Sequence, residues 1–74
     1  MNIKDLKTGD RAKIISIDTD SSLKLRLQSL GIYKGVTFEV REFAIAKQNV
    51  EIAIDNNLIG LRSYEMESIK VEIE

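Results

Sequence analysis

Paired carboxylates are the chemistry most open to this chain. Asp18 with Asp20 and Glu65 with Glu67 stand two positions apart, a spacing at which one carboxyl could donate a proton while its neighbour accepts one. The 74 residues contain no His and no Cys, so the usual activated nucleophiles and general bases are missing and the serines have nothing to deprotonate them. The same shortage bears on metals. Iron, zinc, copper and nickel sites draw mainly on imidazole and thiolate, which leaves only carboxylates and the thioethers of Met1 and Met66. Neither GxGxxG nor GxxxxGK occurs, so no phosphate loop is present. The plainer account of both carboxylate pairs is surface charge, with Asp18 and Asp20 in a loop and Glu65 and Glu67 on a solvated turn. Met66 reads as core. No catalytic residue, bound metal or cofactor is expected, and the chain is read as a non-enzymatic binding module.

The elements that would carry such a module follow from the apolar pattern. A turn at Thr8-Gly9-Asp10 opens a strand over Arg11 to Asp18, with Ala12, Ile14 and Ile17 facing inward and a bulge near Ile15 and Ser16 where strict alternation fails. The polar run from Asp18 to Ser22 ends in a serine N-cap. A helix follows over Leu23 to Leu30, with Leu23, Leu27 and Leu30 on one face. Gly31 stops it in a left-handed Schellman turn, onto which Ile32 folds back.

Val36, Phe38 and Val40 alternate with polar residues as a half-buried strand, and a change of phase at Phe43 and Ile45 suggests a second bulge. The tip Ala46-Lys47-Gln48-Asn49 leads to a returning strand of Val50, Ile52 and Ile54. Leu58 to Arg62 is a short strand in which Gly60 implies a bulge or a close approach. Ser63 caps a helical turn over Tyr64 to Glu67, and Ile69, Val71 and Ile73 alternate as the closing strand. About five short strands with one helix after the first predict a mainly β, single-domain chain over residues 1–74. Curling the sheet into a small SH3-like barrel removes most of its open edges; an OB-fold would place the helix later.

Eleven basic and 12 acidic residues, net −1, are interspersed rather than gathered into a stripe, which argues against a nucleic-acid partner. The opening Met1-Asn2-Ile3-Lys4-Asp5 lacks the apolar run of a signal peptide, and no run of roughly 18 apolar residues occurs. A cytoplasmic location without direct membrane insertion is the expectation.

The run from Arg26 to Val40, with Leu27-Gln28-Ser29-Leu30-Gly31-Ile32 and Gly35-Val36-Thr37-Phe38 within it, resembles the signature of the FeoA family of ferrous-iron uptake. Leu6-Lys7-Thr8-Gly9 resembles the family's opening turn, and Leu61-Arg62 through Ile69-Lys70-Val71 its closing strand, turn and strand. The resemblance implies an SH3-like barrel, of the type also found at the C-terminus of DtxR-like repressors. It further implies a role as an accessory protein docking on the cytoplasmic part of a FeoB-like membrane GTPase transporter. Leu25 projects from the helix nearly opposite the Leu23, Leu27 and Leu30 face. With Gln28, Ser29, Tyr33, Ile45 and Arg62 it makes up the candidate partner surface; for Arg62 a salt bridge beside the last turn is the alternative. Two other functions stay open: a carboxylate-based transition-metal sensor, and a general protein-interaction barrel with a different partner. Self-association through a barrel edge is a further possibility.

Overall fold

The computed structural model describes all 74 residues. Strand β1 spans Arg11–Ile17, β2 Thr37–Phe43, β3 Asn49–Ile54, β4 Asn57–Arg62 and β5 Ile69–Ile73. Helix α1 spans Ser21–Ser29, α2 Ser63–Glu67, and single 3₁₀ turns lie at Ile3–Asp5 and Ile45–Lys47. All five strands pair antiparallel in one sheet of order β4-β3-β2-β1-β5. The β1–β2 connection carries α1, short turns join β2 to β3 and β3 to β4, and α2 carries the chain back so that β5 pairs beside β1. This is the SH3-like architecture the strand count and helix position predict. No helix is long and apolar enough to cross a membrane.

Alternation decides the core. Ala12, Ile14, Phe38, Val40, Val50, Ile52, Ile59, Leu61, Ile69 and Val71 project from the strands onto one inner face, and Ile3, Leu6, Leu27, Ile32 and Met66 close its ends. Met66 is fully buried, as read from the sequence. The bulge in β1 falls at Ile15: Ile14 pairs with Val71 and Ser16 with Lys70, so one extra residue turns Ile17 inward.

The second bulge lies at Arg41, between the pairs Val40 with Ile52 and Glu42 with Glu51, earlier than the pattern at Phe43 and Ile45 suggested. The reason is that the chain leaves the strand after Phe43. Ala46 and Lys47 adopt φ of 59° and 55°, which throws Ile45 out of the sheet and leaves it 93% exposed. Lys47 then folds back, its Nζ donating to the carbonyls of Lys4 and Leu6 at 2.7 and 3.1 Å over the Phe43 ring.

Three further expectations need correction. Gly60 is neither bulged nor crowded: β3 and β4 pair in continuous register from Asn49 with Arg62 to Ile54 with Asn57, and a Cβ at Gly60 would meet nothing within 4 Å. Leu30 and Ile73 are partly exposed, because each ends its element where packing stops. Glu65 is buried to 1% exposure, not solvated.

Candidate functional site

Helix α1 begins at Asp20 rather than at a serine. The Asp20 Oδ1 accepts the Leu23 N–H at 2.9 Å, satisfying an amide that has no partner within the helix. It ends in the Schellman pattern expected of Gly31: Ile32 N–H donates to the Leu27 carbonyl at 2.9 Å and Gly31 N–H to the Gln28 carbonyl at 3.0 Å, with Gly31 at φ 90°. Leu27 and Ile32, brought together by that turn, are both fully buried.

Leu27 is nonetheless the one fully buried residue of α1. A nine-residue helix that buries one leucine fully, with Leu23 packed on the core only in part, needs another restraint, since helices this short are not stable on propensity alone. The restraint comes from α2. Arg26 donates through Nη1 to Glu65 Oε2 at 2.6 Å, while the other carboxylate oxygen accepts the Arg62 N–H at 2.8 Å. Glu65 stands three residues after Arg62, the N-cap of α2, and so performs the acidic half of a capping box. Its charge is the only one buried in the core, and both oxygens are satisfied. The local signal for this role was a Glu at the third helical position. Placing the cap at Ser63 hid it by one residue.

With α1 so held, the candidate residues divide. Leu25, Gln28 and Ser29, spaced three and four apart, share one exposed face, and Leu25 is 65% exposed as its helical phase requires. Tyr33, half exposed beyond the C-cap, joins Gln28, Lys24 and Lys34 along a groove between α1 and the end of β1. Its other side lines a second groove with Leu30, Val36 and Ile54. Ser29 is partly engaged, its hydroxyl donating to the Arg26 carbonyl at 2.6 Å. Ile45 and Arg62 come from other elements, Ile45 at the β2–β3 turn and Arg62 at the end of β4, where its backbone N–H shares the Glu65 carboxylate with Arg26 of α1. Arg62 takes part in no ion pair, so the expected salt bridge beside the last turn is absent; the interaction there is made by its backbone N–H.

The remaining surface chemistry is sparse. Asp18 pairs with Lys70 at 3.3 Å and Glu67 with Lys4 at 3.4 Å, both in solvent, where such pairs contribute little. No three Asp or Glu side chains converge into a cage for a cation. What the face around α1 offers a ligand is exposed apolar area beside lysines and amides.

Comparison with known proteins agrees with this architecture. The family model described as "FeoA domain" matches residues 1–73. A Campylobacter jejuni protein, provisionally named Fe(2+) transport protein A, is 27% identical over 73 residues, covering 99% of each chain. The solution structure of a FeoA protein from Chlorobium tepidum superposes with a TM-score of 0.89 at 33% identity, over 99% of this chain and 70% of that one. The iron(II) transport protein A of Clostridium thermocellum gives 0.92 at 27% identity, over 99% of this chain and 45% of that one. A manganese-dependent transcriptional repressor shares the fold over 36% of its own length, with a TM-score of 0.91 at 20% identity.

Proposed function

The chain belongs to the FeoA family, and on that premise we propose that it is a non-enzymatic accessory protein of Fe(2+) uptake. It works in the cytoplasm by docking on the cytoplasmic part of a FeoB-like GTPase transporter. The docking surface is the outer face of α1 with the turn that follows it: Leu25, Gln28, Ser29 and Tyr33.

The observation that carries this reading is Leu25. A leucine 65% exposed on a helix with one buried residue adds nothing to the core, while the Arg26–Glu65 bond holds it in a constant orientation. Exposed apolar side chains on a rigid support, flanked by polar groups, are what a partner can desolvate at low entropic cost. Ile45 and Arg62, which come from other elements, are not assigned to this contact. The metal-sensor alternative would need at least three converging carboxylates, and no group of three comes together.

The test is binding of the purified protein to the soluble GTPase domain and to the detergent-solubilised transporter, with and without guanine nucleotide. Replacing Leu25 and Tyr33 together by Ser should weaken binding at least about tenfold, since central interface anchors contribute more than about 1 kcal/mol each. Both side chains are exposed, so the fold should be unaffected. Unchanged affinity of the double variant removes this surface, and no binding of the unmodified protein under any nucleotide condition removes the transporter as partner.

A further inference from the structure

The two edges of the sheet are treated differently. At β5 the edge is covered: the Val71 N–H donates to the Met1 carbonyl at 2.8 Å and Asn2 bridges Lys70, so the N-terminal residues act as a sixth, minimal strand. At β4 no segment plays that part.

The direction of the β4 backbone groups follows from one bond. Ser63 N–H donates to the Gln48 carbonyl at 2.8 Å, so odd-numbered residues there turn toward β3, and by the two-residue period Leu58, Gly60 and Arg62 turn away from it. The Arg62 N–H is taken by Glu65 Oε1. The N–H and C=O groups of Leu58 and Gly60 have no partner beyond the sheet. Proteins blunt such an edge with a bulge, a proline or a lysine. Strand β4 has no bulge, proline or lysine: its register with β3 is unbroken, its sequence is Asn-Leu-Ile-Gly-Leu-Arg, and its one charge, Arg62, stands at its last residue. Gly60 leaves the outer face bare, and Leu58 beside it is 59% exposed.

We propose that β4 is the pairing edge of a homodimer, in which two copies join their sheets antiparallel about a two-fold axis at Ile59. In that register Leu58 lies opposite Gly60 of the second copy and Gly60 opposite its Leu58. Four hydrogen bonds form, using every free N–H and C=O of the two residues. Each Leu58 side chain covers the bare Gly60 of the other copy. Arg62, which has no ion partner, comes opposite Asn56 of the second copy and next to its Asp55, which also has none. The neighbouring antiparallel register, centred on Gly60, would aim the Leu58 carbonyl at the Arg62 N–H that Glu65 already holds. Of these two registers, the one centred on Ile59 uses the free groups of both residues and brings Arg62 to Asp55, a self-complementarity that points to a second copy of this chain as the occupant. Two such short strands make an interface below the standard size, so association is weak and concentration-dependent. This inference is independent of the docking role assigned to α1.

The experiment is sedimentation velocity and amide exchange on the full chain, at concentrations from about 10 μM to about 1 mM. A dimer should appear as concentration rises, with the Leu58 and Gly60 amides gaining protection in step while the Ile59 amide, already directed to β3, stays constant. Leu58→Lys places a charge on an exposed position without touching the core and should raise the dissociation constant at least tenfold. Gly60→Pro, which removes an outward N–H and spares the β3 ladder, should do the same. The double variant Leu58→Cys/Gly60→Cys should cross-link between copies on oxidation, because paired Cα atoms in this register stand about 5.5 Å apart. A chain that remains monomeric at the highest concentration overturns the proposal and leaves the edge to a strand of another protein. A dimer unaffected by Leu58→Lys overturns it as well.

Discussion

Removing the Arg26 guanidinium tests whether a single charge-assisted bond orients α1. Glu65 is buried to 1% exposure and its carboxylate has two partners, Arg26 at 2.6 Å and the Arg62 N–H at 2.8 Å. Arg26→Ala leaves one oxygen of a buried anion without a partner. Hydrogen bonds to charged groups contribute roughly 1.5–3 kcal/mol, and an orphaned buried acceptor costs at least as much. The Arg26 side chain is itself 55% exposed, so water can partly replace it and the lower end of that range applies. The expected loss is about 1–2 kcal/mol, equivalent to a fall in Tm of roughly 5–15 °C for a chain of this length. Urea unfolding at neutral pH measures it, together with Glu65→Met and the double variant. Because replacing both partners by apolar groups leaves no buried charge behind, the double variant should be more stable than the two single losses added together predict, with a coupling of about 1 kcal/mol or more. Amide exchange in α1 should speed up in Arg26→Ala while that of β1 and β5 stays slow. An Arg26→Ala protein within about 0.5 kcal/mol of the parent, with no coupling to Glu65, would refute the reasoning and leave the apolar contacts of Leu27 and Leu23 as the anchors of the helix.

The other expectations are simpler. Asp20→Ala removes the side chain that accepts the Leu23 N–H and should cost about 1 kcal/mol in urea unfolding, with exchange of the first-turn amides accelerated most. The same substitution at two glycines should have different consequences. Gly31→Ala forces a side chain to φ 90° and should destabilise by about 1–2 kcal/mol, whereas Gly60→Ala, in strand conformation with nothing within 4 Å of the new Cβ, should be neutral or stabilising by up to about 1 kcal/mol. A Cβ would meet nothing within 4 Å at either position, so similar losses would show that the left-handed φ of Gly31 is not what sets its cost.

The chain belongs to the FeoA family and has an SH3-like fold. Two surfaces of this small domain stand out physically. One is side-chain apolar area on α1, centred on Leu25, and the other is free backbone on the edge of β4. They use different residues and different forces, so each can be removed by substitution without disturbing the other. Leu25 with Tyr33 tests the first and Leu58 the second.

Much of the fold was legible because its signals are local. The alternation Val36-Phe38-Val40 and Ile69-Val71 marked strand faces. The failed alternation between Ile14 and Ile17 marked a bulge, and Leu27, Gly31 and Ile32 marked a Schellman turn, each within a few residues of chain. The exposure of Leu25 was equally legible, because helical phase alone sets its direction. The candidate site was legible only in part: a pattern could select Leu25, Gln28, Ser29 and Tyr33, but not show that Ile45 and Arg62 come from elements other than α1 and its C-terminal turn.

What the sequence determined by itself, then, was the order and type of the elements, the face each strand turns inward and the absence of imidazole and thiolate chemistry. These depend on neighbours along the chain and on composition. The tertiary structure decided that Glu65 is buried, that Arg26 reaches it from 39 positions away, that Leu30 comes out of the core, and that the N-terminal residues cover β5 while β4 stays open. Burial of a charge and exposure of an edge are properties of which distant segments pack together, and no periodicity within either segment encodes them.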